Sequence, residues 1–575
     1  MTINDEQFNK SPKSQYQQKG EKSMANQERK TQGRQCSFFS IASVVLILSI
    51  LTSSGLVGCG SSTKDLEAVD YTPLPDGAQA GDLVDLEPCT FTLFNEEHAA
   101  DCGTLIVPEN RSDPNTRLIA LPVIRLKATS DNPAEPIFWF EGGPGGKNII
   151  YYPLDGLTKN HDFVMVGYRG IEGQVVLECP EVSKAISGAP GTLLSSESLA
   201  GYTAGAAQCA KRLESEGIDL AGYTLTESID DVEAARKALG YDKINLYGNS
   251  YGTRLQQIYM WRYPETLNRV IMVAINPPGH FIWDPAVTDA QIADYAELCA
   301  KDTACSARTD DLVATMRKVS ENMPDRWMGI PIDKELVQLL TYYMFVESIQ
   351  PDAPVPLSGP AAVDLWLDAA EGDYGGMAMF SLSKNLFLPN MTTGHHLAMG
   401  GSVEDYRDAS LDYEAVYNPP DALIGAPLSR FMYGFTEGWP AHTIDEEYFE
   451  VQPSDVEILL VNGSIDFSTP PQYGTEELLP QLTNAEQVIL KDMGHTETIW
   501  NSQPEARAHL ITTFFDTGEV DASLYEYQPV DFTVDQGWSD LMRILIIIVS
   551  IVTAIIIALI WFIIYRIRRR KARNN

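Results

Sequence analysis

The sequence predicts an α/β fold in which a mostly parallel sheet is covered by helices on both faces. Short runs that are continuously apolar are typical of strands buried on both sides. Such runs occur at residues 118–126, 137–140, 163–168, 244–247, 269–275, 457–462 and 487–490. Helix-like segments alternate with them at 227–239, 251–263 and 502–516. Strands that alternate with helices indicate parallel β-α-β units.

The alternation stops in the middle of the chain. Residues 286–452 have the pattern of helices and loops, as in "DKELVQLLTYYMFVESI". We interpret this segment as a mainly helical cap domain inserted into the core. The core then consists of a first part, residues 86–285, and a second part, residues 453–520. Hydrophobic residues make up 44% of the chain, which is enough for a full core.

The N-terminal region has the features of a bacterial export signal. Residues 38–51 form an apolar run that follows basic residues and is too short to span a membrane comfortably. The run leads to residues 56–59, "LVGC", which resemble the lipobox in which the cysteine is acylated and becomes the new N-terminus. We therefore predict a signal peptide of the lipoprotein type over residues 1–58, with Met24 as an alternative start. Ordinary cleavage beside an incidental Cys59 is the competing hypothesis.

The C-terminal region predicts a membrane anchor. Residues 544–565 are 22 residues without a charge, enough to cross a hydrocarbon layer of ~30 Å as a helix. The basic tail that follows, residues 566–575, is expected in the cytoplasm by the positive-inside rule. A polar tether, residues 59–85, and a linker, residues 521–543, would join the folded part to the two ends. The sequence thus predicts a protein of a bacterial cell membrane, anchored by its C-terminal helix and by lipid at Cys59, with its folded domains outside the cytoplasm.

The chain is strongly acidic, with a formal net charge of −36. Such a surface repels the phosphates of nucleic acid, so nucleic-acid binding is not expected. The charge is consistent with solubility in water, and also with an acidic entrance that attracts amine-bearing substrates.

The cysteines fit an oxidising compartment. Apart from Cys36 and Cys59, the chain contains Cys89, Cys102, Cys179, Cys209, Cys299 and Cys305. Six cysteines allow fifteen disulfide connectivities, and the sequence cannot decide among them. Pairing in sequential order closes the shortest loops and is the pattern we favour. No CxxC motif or adjacent Cys/His pair supports a zinc site, so no metal is expected.

The stretch "INLYGNSYGT", residues 244–253, contains the pattern Gly-x-Ser-x-Gly around Ser250. With Gly at about 7% of average sequence, such a match arises by chance in roughly one chain in five of this length. The context makes it more specific, because an apolar strand precedes Ser250 and a helical segment follows it. This strand–turn–helix setting is that of the nucleophile elbow of the α/β-hydrolase fold. We therefore predict Ser250 as a nucleophile.

A nucleophilic serine requires a base and an acid that orients the base, in the chain order Ser, acid, His in this fold. Among the eight histidines, His495 directly follows the strand at 487–490. Asp466 follows the strand at 457–462 and is expected at the same edge of the sheet. Two other acids compete with it. Asp492 is in the same loop as the histidine and would struggle to reach its Nδ1, and Asp455 precedes its strand.

Two backbone N–H groups are needed to stabilise an oxyanion. The first is expected from Tyr251, the residue after the nucleophile. The second is expected from "FEGGPGG", residues 140–146, which follows an early strand. Pro144 has no N–H, so Gly143 is the predicted donor.

Together these motifs resemble a known family. The resemblance runs from about Cys89 to residue 515 and includes "CGTLIVPEN", "EGGPGG", "YRG", the segment from "DDVEAARKALG" through "NLYGNSYGT" to "WRYPE", "GSIDFSTPP" and the final "GH". They resemble the α/β-hydrolase serine peptidases of the proline iminopeptidase and secreted tripeptidyl aminopeptidase type. The resemblance implies Ser250, Asp466 and His495 as the triad, Gly143 and Tyr251 as oxyanion donors, and a cap that restricts access. It implies no cofactor. Lys147 and Asn148 stand where the family more often has Ser-Gly.

The resemblance implies an aminopeptidase that acts on peptides with a free N-terminus. A carboxylate would then bind the substrate ammonium group, and Glu141, Glu297, Glu347 and Glu437 are unranked candidates. The first alternative is an esterase or lipase-like enzyme that uses the same triad on small esters. The second alternative is a non-catalytic binding protein of the cell surface.

Overall fold

The computed structural model describes most of the chain after the predicted tether. The described residues are 73–574 without 94–95, 151–155, 350–355, 383–392, 404–411, 435, 497–498 and 500–501. The predicted signal peptide, Cys59 and most of the tether lie outside them.

The core is a nine-stranded sheet with the strand order β1-β2-β3-β5-β4-β6-β7-β10-β11. The described strands are β1 Leu83–Leu93, β2 Glu96–Pro108, β3 Leu118–Leu126, β4 Ala134–Phe140, β5 His161–Val166, β6 Ile244–Asn249, β7 Leu267–Val273, β8 Arg326–Trp327, β9 Ile330–Pro331, β10 Glu457–Gly463 and β11 Ala485–Leu490. From β5 to β11 along this order all neighbours pair in parallel. This confirms the predicted α/β fold with a mostly parallel sheet.

The helices cover both faces of the sheet and fill the region between β7 and β10. The described α-helices are α1 Pro180–Ser187, α2 Ser196–Ser215, α3 Leu225–Leu239, α4 Tyr251–Arg262, α5 Pro285–Lys301, α6 Thr303–Ser306, α7 Leu312–Asn322, α8 Lys334–Phe345, α9 Gly359–Ala370, α10 Gly375–Leu382, α11 Thr393–Gly401, α12 Tyr413–Tyr417, α13 Pro427–Tyr433, α14 Pro504–Thr517 and α15 Trp538–Asn574. Helix α3 has a typical N-cap, because the Thr224 hydroxyl accepts a hydrogen bond from the Glu227 N–H at the start of the helix. Gly240, at φ +77°, ends it.

Each apolar run of the sequence overlaps a strand: the run at 118–126 coincides with β3, and the runs at 163–168 and 269–275 extend two residues beyond β5 and β7. Strand β6 is buried along its full length, as a strand covered on both faces should be. Because β4, β6, β10 and β11 are parallel, their carboxyl ends meet at one edge of the sheet. The loops after these strands therefore lie together.

The sequence patterns did not reveal the hairpin of β1 and β2, which forms one edge of the sheet. Strand β1 is mostly exposed or half-buried, and in β2 the continuously buried stretch is only residues 104–107, so the hairpin leaves no long apolar run. The hairpin is antiparallel, and a disulfide joins Cys89 to Cys102 across it. Strand β1 begins at Leu83, within the predicted tether.

Between β7 and β10 the described residues form helices and one short hairpin, β8–β9. We refer to residues 286–452 as the cap. Its helices have extensive apolar faces; in α9, for example, Trp366 is fully buried and donates its Nε1–H to Thr341.

The other two disulfides join Cys179 to Cys209 and Cys299 to Cys305. The six cysteines are thus paired in sequential order.

Helix α15 begins at Trp538, whereas the sequence predicted a linker up to residue 543. Its first two turns pack against the cap: Trp538, Leu541 and Met542 are buried. The side chains from residue 549 to 573 are exposed. By length and composition, α15 could cross a membrane. The exposed apolar segment is therefore part of the same helix whose first turns pack against the cap.

Candidate active site

Ser250 lies in a sharp turn between β6 and α4. Its backbone has φ +49° and ψ −124°, a conformation that is strained for a residue with a side chain. The turn packs so tightly against the end of β4 that a Cβ on Gly252 would lie 2.2 Å from the Phe140 carbonyl oxygen. Gly248 has a similar contact at 2.6 Å. The two glycines of the motif are therefore required by close backbone packing, and this presents the serine side chain at the sheet edge.

The structure brings Ser250, His495 and Asp466 into one hydrogen-bonded chain. His495 Nε2 lies 3.0 Å from Ser250 Oγ. On the other side of the ring, His495 Nδ1 lies 2.9 Å from each carboxylate oxygen of Asp466. Asp466 is fully buried and His495 is 9% exposed. A proton on Nδ1 can be donated to the aspartate, so that Nε2 is free to accept the serine proton.

Asp466 is held by the residues that follow it. Its carboxylate accepts hydrogen bonds from the backbone N–H groups of Ser468 and Thr469, at 2.9 and 2.8 Å. The Thr469 hydroxyl donates a third, at 2.8 Å. The competing acids lie elsewhere: Asp492 accepts from the Tyr527 hydroxyl, and Asp455 is exposed. These hydrogen bonds compensate the carboxylate of Asp466 for its burial away from water.

The loop that carries His495 is attached to the cap. The His495 N–H donates to the Val346 carbonyl at 2.8 Å, and the Gly494 N–H donates to the Ser348 hydroxyl at 3.0 Å. Both acceptors belong to the segment after α8. The cap therefore helps to position the histidine of the core.

The glycine-rich loop after β4 is held by two buried polar residues, Asn148 and Glu172, to which the sequence analysis assigned no role. Asn148 accepts the Glu141 N–H and donates to the Trp139 and Val166 carbonyls. Glu172 accepts hydrogen bonds from the N–H groups of Asn148 and Ile149, at 2.9 Å each, and from that of Tyr168 at 3.0 Å. Burial raises the pKa of the Glu172 carboxyl, and these donors oppose that effect. The only sequence signal was the departure from Ser-Gly at Lys147 and Asn148.

Replacing Glu172 with glutamine should loosen this loop. The amide NH₂ of a glutamine would face an N–H donor where the carboxylate now accepts, and one buried N–H would lose its acceptor. We expect a loss of about 1–3 kcal/mol in the free energy of unfolding, together with a lower kcat. Thermal unfolding and turnover of Glu172→Gln check this. Wild-type values for both would contradict the role of the carboxylate.

The two predicted oxyanion donors flank Ser250. Gly143 has φ +65°, which favours glycine, and it follows Gly142, where a Cβ would lie 3.0 Å from the Ser250 Cβ. Tyr251 is the first residue of α4, so its N–H has no acceptor within the helix. Both donors thus belong to backbone segments that adjoin the serine.

Of the four acids considered for a substrate ammonium group, two lie beside the triad. Glu347 stands between Val346 and Ser348, which hold the His495 loop. Glu141 precedes the glycine-rich loop, and its carboxylate accepts the Gly142 N–H at 2.8 Å. Glu297 is 76% exposed and pairs with Lys301, and Glu437 is also exposed. Within the part of the chain that the structure describes, no cluster of His, Cys, Asp and Glu side chains is arranged to hold a metal ion.

Comparison with known proteins gives matches in both core and cap. Residues 201–339 match the family "alpha/beta hydrolase fold", and residues 428–526 match the family "TAP-like protein". The tripeptidyl aminopeptidase of Streptomyces lividans is 27% identical over 230 residues, 38% of this chain and 42% of that protein. The serine protease Hip1 of Mycobacterium tuberculosis is 26% identical over 293 residues, 47% of this chain and 54% of that protein.

Among solved structures, the serine hydrolase CCSP0084 of Cycloclasticus zankles is similar with 12% identity and a TM-score of 0.33, covering 73% of this chain and all of that one. The match to the two sequence relatives spans about half of their length. The matched regions include Ser250 in one family and Asp466 and His495 in the other. The chain is an α/β-hydrolase-fold protein, and over part of its length it is similar in sequence to a tripeptidyl aminopeptidase and to a serine protease.

Proposed function

We propose that this protein is a serine hydrolase that releases N-terminal residues or short peptides from peptides with a free N-terminus. The observation that carries the proposal is the hydrogen-bonded chain of Ser250, His495 and Asp466. Such a chain activates a serine for attack on a carbonyl carbon. The similarity to a tripeptidyl aminopeptidase and to a serine protease favours peptides over other acyl substrates.

The proposed reaction proceeds through an acyl-enzyme. His495 Nε2 removes the proton from Ser250 Oγ as the oxygen attacks the carbonyl, and it then donates that proton to the leaving amine. The same nitrogen activates the water that hydrolyses the ester. Asp466 keeps the ring oriented and stabilises the imidazolium. The N–H groups of Gly143 and Tyr251 bind the oxyanion, and the loss of one such donor typically costs about 3 kcal/mol.

For the substrate ammonium group we propose Glu347, with Glu141 as the second candidate. Glu347 belongs to the cap, directly beside the contacts that hold His495. A carboxylate at this point would fix the distance from the free N-terminus to the cleaved bond. It would thereby decide how many residues are released.

A panel of substrates tests the proposed function. Fluorogenic di- and tripeptides with free N-termini, the same peptides with blocked N-termini, and p-nitrophenyl esters are compared by kcat/KM. We expect the free peptides to be the best substrates. If blocked and free peptides are cleaved equally, the aminopeptidase proposal is wrong; if only esters are hydrolysed, the protein is an ester hydrolase.

Replacing Glu347 with glutamine should raise KM for peptides with a free N-terminus by about 10–100-fold, since a hydrogen bond to a charged group contributes about 1.5–3 kcal/mol. Blocked peptides and esters, which have no ammonium group, should keep their KM. The matched control is Glu297→Gln, which alters an exposed cap glutamate that pairs with Lys301. An equal effect of Glu347→Gln on free and blocked peptides would contradict the assignment.

We further propose that the protein is anchored to a bacterial membrane by α15, with its catalytic domain outside the cytoplasm. The basic residues that end the helix support this orientation, because they favour the cytoplasmic side. Protease added to intact cells or spheroplasts should then degrade the catalytic domain and spare the C-terminal tail. Protection of the domain would contradict the orientation.

A further inference from the structure

The glycine-rich loop at residues 142–146 carries Gly143, one of the two proposed oxyanion donors. Its own sequence does not make it rigid. It contains four glycines and one proline, and Gly143 and Gly145 have φ of +65° and +97°. Within the loop, the Gly146 N–H donates to the Gly143 carbonyl at 3.0 Å. Asn148 and Glu172 hold the residues on either side. The conformation at the centre of the loop must therefore be held by other groups.

The cap supplies such a group. The Gly145 N–H donates to Nδ1 of His395 at 2.9 Å, across 250 positions of sequence. His395 lies in the first turn of α11 and is 1% exposed. Since Nδ1 accepts this hydrogen bond, the ring carries its proton on Nε2. Burial lowers the pKa of His395 to about 3, which keeps the ring in the neutral form that can accept.

The position of His395 is itself determined by contacts with the core. The preceding Gly394 donates its N–H to the Leu177 carbonyl at 3.0 Å, and a Cβ on Gly394 would lie 2.3 Å from that oxygen. The imidazole stacks on Tyr168, with ring centroids 6.3 Å apart and planes inclined by 11°. The Tyr168 hydroxyl donates to the Glu141 carbonyl at 3.1 Å. The ring is thus fixed between the tyrosine and the loop.

The next residue of α11 contacts the same loop. Burial lowers the pKa of His396 to about 4, and a hydrogen bond of its ring with the Pro144 backbone acts in the opposite direction. His396 also packs against Phe281, at 6.0 Å between ring centroids. Two adjacent cap histidines therefore contact two adjacent residues of the loop, Pro144 and Gly145.

We propose that His395 is a positioning residue of the cap that holds the Gly145 amide and thereby aims the Gly143 N–H at the oxyanion. This inference rests on the proposed hydrolase function, because it concerns the oxyanion hole of that reaction. His395 does not contact the reacting atoms; it acts through the loop. A cap that moved away from the core would take this acceptor with it, so oxyanion stabilisation is coupled to the position of the cap.

Two substitutions at one position separate the hydrogen bond from the packing. His395→Leu fills the site but has no acceptor. His395→Asn places an amide oxygen where Nδ1 lies, because both atoms are three bonds from Cα. Leu397→Ala serves as the control, since Leu397 is a buried residue of the same helix whose loss disturbs packing and leaves the hydrogen bond in place.

Misaligning one oxyanion donor should lower kcat without weakening substrate binding. We expect kcat of His395→Leu to fall by about 10–1,000-fold, with KM within about threefold of wild type. His395→Asn should recover kcat to within about fivefold, and Leu397→Ala should retain it while melting at a lower temperature. Wild-type kcat in the leucine variant, or an asparagine variant as slow as the leucine variant, would overturn the inference.

A second measurement does not depend on turnover. Hydrogen exchange followed by mass spectrometry, on the full chain in detergent, reports the amides of peptides that cover residues 142–146. We expect at least tenfold faster exchange in His395→Leu and wild-type exchange in His395→Asn. If the wild-type protein hydrolyses nothing, the proposed function fails and this comparison still decides the role of His395. Unchanged exchange in the leucine variant would refute that role.

Discussion

Replacing Ser250 with alanine should lower kcat for every peptide and ester by about 10⁶-fold, the effect of removing the nucleophile from a complete triad. The reason is that His495 Nε2, 3.0 Å from Ser250 Oγ, would have no hydroxyl to deprotonate. The fold should be unchanged, because the side chain is small and lies at the end of β6. Steady-state turnover with the best substrate of the panel measures the loss.

A covalent probe makes this result independent of the substrate. A fluorophosphonate should label the wild-type protein on Ser250 and leave Ser250→Ala unlabelled. Ser215→Ala, which alters an exposed serine of α2, is the matched control and should react like wild type. Labelling of the Ser250 variant at the wild-type rate would show that another residue is the nucleophile.

Replacing Trp538 with alanine should destabilise the folded body by about 3–5 kcal/mol, the usual cost of truncating a buried tryptophan. Trp538 is 2% exposed, packs edge-on against Phe380 at 4.7 Å and donates its Nε1–H to the Pro356 carbonyl at 2.8 Å. A Cβ on Gly376 would lie 2.9 Å from the Trp538 Cβ, so helix and cap are in close contact. Thermal unfolding of the full chain in detergent measures the effect.

The same helix offers a control. Trp561 lies in the apolar segment of α15 and is 67% exposed in the structure, so Trp561→Ala should leave the melting temperature in detergent unchanged. A Trp538→Ala protein that melts like wild type would mean that the first turns of α15 are only a linker. The expected loss means instead that the cap is fixed to α15 without a flexible joint.

Much of the core could be predicted from local patterns. The strands that are covered on both faces leave continuous apolar runs, and each such run overlaps a strand of the sheet. The motif around Ser250 could be assigned to an elbow because its strand and helix are its immediate neighbours in sequence. His495 and Asp466 could be predicted from chain order and from their places directly after β11 and β10. In the structure, His495 is within hydrogen-bond distance of both Ser250 and Asp466.

Other features leave no local pattern. In the hairpin of β1 and β2, β1 is the edge strand and has few buried residues, and the buried stretch of β2 is only four residues long. The first turns of α15 look like a polar linker in the sequence, and it is their contact with the cap that makes Trp538 a core residue. Nothing within the segment of His395 indicates that its ring has a partner 250 residues away in the sequence.

The class of fold, most strands of the parallel sheet and the three residues of the proposed triad could be inferred from the sequence. These depend on periodicity, on glycines beside a serine and on residues at strand ends, all of which are local. The supports of the site are visible only in the folded protein: Glu172 and Asn148 hold the residues on either side of the glycine-rich loop, and His395 accepts a hydrogen bond from its centre. The cap segment around Glu347 holds the loop of His495. The contacts of His395 and of the segment around Glu347 join cap and core, so their geometry exists only after the two have packed together. The hydrogen bonds of Glu172 and Asn148 lie within the core and depend on the packing of neighbouring strands and loops.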